Sequence, residues 1–346
     1  MEPWNYPFQL VFVPLIAALA ACNTVVFKPS EISIATAEVI KKILNNAFET
    51  NYIEVVIGGP ETGQTLLKQE FNHIFFTGSQ GVGQIVLESA APKMIPVTLE
   101  LGGKSPCIDD EHIHVKQTAR RIIWGKLINA GQSCIAPNCL FVHENVKDDL
   151  LPELVKAIQK FYGVDPEQSD EYPRIINQNN MDRLVEMVHN ADVYWGGKYN
   201  REKLYFEPTI LDNVDFDMAA MKKEIFGPIL PVITYSDLNQ LLEMLKLCPS
   251  PLALYFFSRN RKHVKKVLQR VPAGGVTIND TIMHFVNNKL PFGGTGNSGM
   301  GKYHGKHSFE VFSNTKPVVF KATWLDIPLR YAPFKNKLKY VRKLMK

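Results

Sequence analysis

Residues 73–101 read HIFFTGSQGVGQIVLESAAPKMIPVTLEL, and on this stretch the fold turns. An aromatic run from His73 to Phe76 stops at Thr77-Gly78-Ser79, a helical stretch from Val82 to Ala91 follows, and Pro96 to Leu101 forms a second apolar run. Short buried strands separated by a helix predict a parallel sheet with a crossover helix on its face. Working back, Thr24 to Phe27 and Ile53 to Ile57 read as strands around a helix from Ala35 to Phe48, while Leu10 to Cys22 reads as a buried apolar helix. Working forward, helices over Val115 to Asn129 and Asp148 to Tyr162, with strands over Ala253 to Phe257 and Gly275 to Asn279, predict a second α/β domain. Residues Pro291 to Gly301 hold too much glycine for a helix or strand interior and read as a loop with several positive-φ positions. Phe309 to Trp324 reads as an extended run, and the tail from Lys335 as a short basic helix with Leu338, Val341 and Leu344 on one face.

The bulk properties narrow the function classes. A chain of 346 residues, 45% hydrophobic and 21% charged, suits a globular protein of about two domains. Its net charge of +5 comes from the tail: Lys335, Lys337, Lys339, Arg342, Lys343 and Lys346 stand there without an acid, leaving −1 for the rest. A basic stripe with interleaved aromatics, as nucleic acid would require, is missing from the body. Five irregularly spaced cysteines do not make a disulfide scaffold and point to a reducing, cytoplasmic setting. The longest apolar run is too short to span a bilayer. Leu19-Ala-Ala-Cys22 resembles a lipoprotein cleavage box, but only Glu2 carries charge ahead of Leu10, against the positive start a signal peptide needs.

Three motifs suggest chemistry. Thr77 to Gly83 places glycines between a strand and a helix, where backbone N–H groups can face a pyrophosphate, although the spacing is G-x-x-G-x-G and a plain turn explains it equally well. Lys28-Pro-Ser-Glu31 lies between a strand and a helix. Ser30 there is a cap candidate, and Lys28 and Glu31 stand where open α/β sheets bind ligands. Cys134 stands in a polar segment, Asn129-Ala-Gly-Gln-Ser-Cys134, suited to a partly exposed reactive thiol, whereas Cys22 and Cys107 read as packing. Cys134, Cys139 and His143 match no zinc spacing, so no metal is expected. Ser298 fails as a nucleophile elbow because Met300 stands where glycine is needed.

Taken in order, Glu100-Leu-Gly-Gly-Lys-Ser105, Gly131-Gln-Ser-Cys134, Glu224-Ile-Phe-Gly-Pro228 and Pro291-Phe-Gly-Gly294 resemble the aldehyde dehydrogenase superfamily. Pro3-Trp-Asn-Tyr-Pro7 with Ser298-Gly-Met-Gly-Lys-Tyr-His-Gly305 is similar to its class 3 branch, and the stretch from Trp324 to Lys346 to bacterial members. The resemblance implies a Rossmann-type cofactor domain over residues 1–102, a catalytic thiol domain over 103–302, and an oligomerising segment with the basic tail over 303–346. It implies oxidation of an aldehyde to a carboxylic acid with NAD or NADP. Cys134 would be the nucleophile, Asn5 the oxyanion donor and Glu100 the base. Gly78, Ser79, Gly81, Val82 and Gly83 would border the cofactor, Lys28 and Glu31 its adenosine ribose, Glu224 and Phe226 its nicotinamide end, and Tyr6 and Phe292 the substrate. From the residues alone, Asn5 can equally be a turn residue, Glu100 a surface charge at a strand end and Glu224 a helix cap.

A homodimer and a weak membrane-surface contact by residues 335–346 complete the expectations, with a truncated, inactive relative acting as a binding protein as the alternative. Departures from the family pattern carry their own. Cys22 replaces a glycine before Asn23 and costs about 1 kcal/mol if it is left-handed. Asn138-Cys139 replaces Asp-Tyr, bringing a second thiol within five residues of Cys134 and a local disulfide within reach, and Lys223 replaces an acid beside Glu224. The chain starts just before Asn5, so a family segment contributing to the cofactor domain is expected to be absent, with lower stability or activity than an extended chain.

Overall fold

The structure, a computed structural model, describes residues 1–335 and 337–345. Its strands are β1 (Val25–Phe27), β2 (Ile53–Val55), β3 (Ile74–Gly78), β4 (Val97–Leu101), β5 (Pro106–Asp109), β6 (Cys139–His143), β7 (Val193–Trp195), β8 (Tyr199–Asn200), β9 (Tyr205–Phe206), β10 (Thr209–Leu211), β11 (Ile229–Tyr235), β12 (Ala253–Phe257), β13 (Gly275–Ile278) and β14 (Gly299–Met300). The helices that position the site are α1 (Gln9–Ala20), α2 (Ile34–Ala47), α3 (Pro60–Leu67), α4 (Gln80–Ala90), α5 (Val115–Leu127), α6 (Glu144–Tyr162) and α7 (Gln178–Val188).

Before Gly102 the strands pair in parallel, β1 with β2 and β3 with β4, but in two small sheets and not one. The main chain of Met1 and Glu2 runs between them: Met1 exchanges hydrogen bonds with Phe75 O and Thr77 N, and Glu2 N donates to Lys28 O. This path carries the next residues, Trp4 and Asn5, to the carboxyl ends of β3 and β4. After Gly102 the strands form a seven-stranded sheet, β13-β12-β5-β6-β11-β10-β7, parallel except for β7. Its inner strands are buried on both faces, which is why β5, β6, β12 and most of β11 read as continuous apolar runs. Two side-chain layers cover it, one built around Ile122, Leu150 and Leu154 from α5 and α6, the other around Met181, Leu184 and Leu241.

Several expectations need correction. Gly81, Val82 and Gly83 lie inside the first turn of α4, not in a loop, because Ser79 caps the helix by accepting from Val82 N. Helix α1 buries one face only, with Ile16 63% exposed. Helix α5 ends at Leu127, since Asn129 and Ala130 take left-handed φ of 52° and 50°. Cys22 is exposed rather than packed, and its φ of 59° is the left-handed conformation that its replacement of glycine put at issue. The glycine-rich segment does hold Gly293, Gly296, Gly299 and Gly301 at positive φ, yet Gly299–Met300 also pairs antiparallel with β4. Residues 305–311 are helical, so the extended run begins only after Phe309 to Val311 have closed that helix, and no strand forms in the described residues beyond it. Residues from Ser313 onward form a separate unit with a 3-10 turn, Pro328–Arg330, and the expected basic helix, Leu338–Leu344; the Leu344 side chain lies outside the described residues.

Candidate active site

Cys134 sits in a backbone that few sequences tolerate. Asn129, Ala130 and Gly131 are left-handed in succession, at about 1–2 kcal/mol for each residue that is not glycine. Only glycine serves at 131, because a Cβ there would lie 2.2 Å from Gly227 O. The strain is held by a dense set of anchors. Gln132 donates to Asn129 O and Arg174 O at 3.0 and 3.1 Å and accepts from Ile176 N at 3.0 Å. Tyr255 donates to Ile135 O at 2.5 Å, and Ser105 OH reaches Cys134 O at 3.5 Å. Such locally costly geometry persists where the surroundings over-determine it, as at reactive centres.

The cysteine is partly exposed and lies where two cavities meet. One, of about 270 Å³, is lined by Trp4, Asn5, Gly78, Ser79, Arg183, Glu224 and Phe226; the other, of about 410 Å³, by Tyr6, Trp124, Ile128, Ile282, Phe285, Phe292 and Tyr303. Leu10, Thr77, Glu100 and Cys134 line both. Burial, then the Glu224 and Glu100 carboxylates, push the thiol above its ordinary range, while the N–H groups of Cys134 and Ile135 face it and pull the other way.

Asn5 enters from the Met1–Glu2 path and donates through Nδ2 to Gln132 O at 3.1 Å, which leaves one Nδ2 hydrogen free. Asn129 holds it by donating to Asn5 O at 3.0 Å. Glu100, on β4, is 3% exposed, and neither carboxylate oxygen has a hydrogen-bond partner; burial raises its pKa well above the ordinary carboxylate range, with Lys302 opposing and Glu2 adding to the rise. It is therefore no surface charge. Burial likewise lifts Glu224 to about 7, and its Oε1 lacks a partner. Its carboxylate lies over the backbone of Gly102, where a Cβ would come within 2.0 Å of Oε2. Tyr6 meets the Ser133 side chain, and burial raises its phenol to about 12.

Sequence reasoning missed the residues that hold these groups. Arg183 of α7 donates to the carbonyls of Glu224, Ile225 and Phe226 at 3.2, 2.5 and 3.4 Å, clamping the turn in which Phe226 takes a φ of 45° and meets Trp4 edge-on at 5.5 Å. Lys104 donates to Asn138 Oδ1, Ala220 O and Lys223 O at 2.7, 2.8 and 3.0 Å, tying the segment after β4 to the strand behind the cysteine. An arginine or lysine whose bonds go mostly to main-chain carbonyls leaves no periodic signal. The structure does not bring Lys28 and Glu31 to the cysteine. They pair with each other at 3.0 Å beyond β1, where Ser30 caps the following turn as expected. Lys223 is exposed, Cys134 and Cys139 are both free, and Ser298 spends its hydroxyl on Thr295. Among the described residues no group of three His, Cys, Asp or Glu is placed to hold a metal ion.

The residues present fit a dinucleotide. The first cavity opens at the N-terminus of α4, where N–H groups favour phosphate, and Gly81 faces open space there. The partnerless Glu224 Oε1 is an acceptor suited to a sugar hydroxyl.

The aldehyde dehydrogenase family model matches residues 1–318. The chain is 48% identical, over its full length and 76% of the relative, to 4,4'-diaponeurosporen-aldehyde dehydrogenase of Staphylococcus aureus. It is 43% identical to the dimeric NADP-preferring aldehyde dehydrogenase of Rattus norvegicus, covering 92% of this chain and 70% of that one. The solved substrate-bound Staphylococcus aureus AldH superposes with a TM-score of 0.97 at 47% identity, across all of this chain and 76% of that one. The chain belongs to the aldehyde dehydrogenase family: it oxidises aldehydes to carboxylic acids with NAD or NADP through a cysteine thiohemiacetal and thioester.

Proposed function

We propose that Cys134 carries this chemistry, with Asn5 and the Cys134 N–H as oxyanion donors and Glu100 as the base for thioester hydrolysis. The observation that carries the assignment is the position of Cys134 and Glu100 on the shared wall of a polar and an apolar cavity. The thiol releases its proton to solvent and the thiolate adds to the aldehyde carbon, and the oxyanion meets Asn5 Nδ2 and the backbone N–H, each donor contributing about 3 kcal/mol in comparable sites. Glu224, Phe226 and Ser79 would hold the nicotinamide end of NAD or NADP on the polar side, where it would accept the hydride that leaves the cysteine-bound carbon as the oxyanion collapses to the thioester. Glu100 then takes a proton from the water that attacks the thioester, and the acid product leaves the thiol free.

The ring-lined cavity favours medium-chain or aromatic aldehydes, with Tyr6 and Phe292 among its walls. A pocket of this kind gains about 1–3 kcal/mol per added methylene. With either cofactor, kcat/KM for octanal or benzaldehyde should therefore exceed that for glyceraldehyde by about tenfold or more; equal values would remove the apolar cavity from the substrate role. Dual cofactor use fits the Lys28–Glu31 pair, in which a cation that welcomes a 2′-phosphate is bound to an acid that prefers free hydroxyls. Residues 1–102 serve as the cofactor domain, with Gly78, Ser79, Gly81, Val82 and Gly83 along its phosphate edge, residues 103–302 as the catalytic domain, and 303–346 as the assembling segment of a homodimer. The basic tail adds a weak membrane-surface contact to a cytoplasmic enzyme; among the described residues no helix is long and apolar enough to cross a membrane.

A further inference from the structure

The geometry points to Lys302 as a positioning residue for thioester hydrolysis: its ammonium, anchored on two backbone carbonyls behind the site, is the counter-charge that the buried Glu100 carboxylate meets across Gly293. This rests on the reading of Glu100 as the base. Strand β14 lies antiparallel to β4 with Gly299 opposite Glu100, and the chain leaving it runs on beside Thr98, where Gly301 O and the Lys302 stem border Gly293 as the Glu100 carboxylate does. Along it the side chains alternate: Tyr303 lines the apolar cavity, while Lys302 lines neither cavity. Lys302 Nζ donates to Gly274 O at 3.0 Å and to Gly293 O. Gly293 marks where the two side chains converge, because a Cβ placed there would lie 2.8 Å from Glu100 Oε1 and 3.0 Å from Lys302 Cδ. The lysine stem and the carboxylate thus share one face of a single glycine.

The balance of charge around Glu100 gives the lysine its role. Glu100 has no hydrogen-bond donor on either oxygen, so neither a hydroxyl nor an N–H stabilises its anion. The titratable groups facing it are Glu2 from the first residues, Cys134 from the strained loop, and Lys302 and Tyr303 after β14; the Thr77 side chain stands opposite on β3. Among them only Lys302 brings positive charge. Burial and Glu2 favour the protonated carboxyl, which cannot accept a proton from water, and Lys302 opposes both. Glu100 in turn favours the charged form of Lys302, which burial disfavours.

The test replaces Lys302 with Met, which fills the stem's space without charge, with Gln, which keeps a donor for the carbonyls without charge, and with Arg, which keeps the charge. Pre-steady-state cofactor reduction and steady-state turnover of an aromatic aldehyde are followed from pH 6 to 9.5, with Glu100→Gln alongside. In the Met and Gln variants the acid limb of kcat should move up by about one pH unit, giving roughly tenfold slower turnover on that limb and recovery at high pH. Their burst of cofactor reduction should persist, and Lys302→Arg should stay near the parent profile. A parent-like profile in both neutral variants, or an equal loss at every pH, would overturn the proposal, the second outcome leaving Lys302 only to tie the loop. Failure of the Glu100 reading is distinguishable, because Glu100→Gln would then turn over normally, whereas failure of the Lys302 proposal leaves Glu100→Gln slow.

Discussion

The two cavities that meet at Cys134 are built on opposite principles. On the polar side the groups are left wanting: Asn5 Oδ1, Glu224 Oε1 and both oxygens of Glu100 are buried without partners. On the apolar side the lining is mostly ring and aliphatic carbon, and the unmet atoms are the His284 Nε2 and His304 Nδ1 behind it and the shared Thr77 and Glu100. Phe292 lies stacked between His284 and His304 at 6.1 and 5.2 Å between centroids, and Tyr6 meets Ser133. Each unmet polar group costs roughly 1–3 kcal/mol, so the polar side, where such groups face the cavity, is kept at the expense of stability more than the ring lining is. The difference teaches where the reaction's moving charge is met. Hydrogen-bond capacity is reserved on one side for groups that arrive, while the other side only shapes and excludes water.

The strongest test of that contrast is at the shared wall. Cys134→Ala should reduce aldehyde oxidation at least about 10⁴-fold, since no other group supplies the nucleophile, while cofactor binding measured by fluorescence stays within about twofold. Retained turnover would break the assignment outright. Glu100→Gln comes next, with a loss of about 10²–10⁴-fold in kcat and acyl-enzyme accumulating on Cys134, detectable by intact-protein mass spectrometry. Turnover without that accumulation would move the base elsewhere.

A third experiment asks whether the polar side really is held against stability. Glu224 is raised from 4.5 to about 7 in the folded state, so its contribution is fully present below pH 4.5 and is lost as pH rises through 7. Glu224→Gln should therefore stabilise the chain at pH 8 by up to about 3 kcal/mol, less as solvent screens the carboxylate, and change little at pH 5. Chemical denaturation at the two pH values decides, and an equal effect at both would place the cost in packing instead. The smallest effect lies outside the site. Cys22→Gly relieves a left-handed residue that is exposed and far from any reactive role, and should raise stability by about 1 kcal/mol with activity unchanged. A matching gain from Asn129→Gly, but with activity lost, would sharpen the distinction between strain that serves the site and strain that does not.

Much of this was legible in the linear chain. Runs of β-branched and aromatic residues bounded by turn residues located β1 to β4, β12 and β13 within a few residues, because that composition suits a pleated surface even in half-buried strands such as β1 and β13. The family resemblance carried by the ordered short motifs, and not the residues read singly, proposed Cys134, Glu100, Asn5, Glu224 and Phe226 as the site. That Glu100 is buried and partnerless, that Asn5 has a free donor, and that the cysteine loop carries consecutive left-handed residues depended on atoms distant in sequence. Asn5 lies 127 positions from Gln132, whose carbonyl orients it, and Arg183 lies 42 from the Ile225 carbonyl it clamps. Composition and local pattern determined the class of fold and the kinds of side chain available for catalysis. Only the packed structure decided which polar groups go unmet and which cation faces which acid, because desolvation and charge proximity are properties of the folded volume and not of the order of residues.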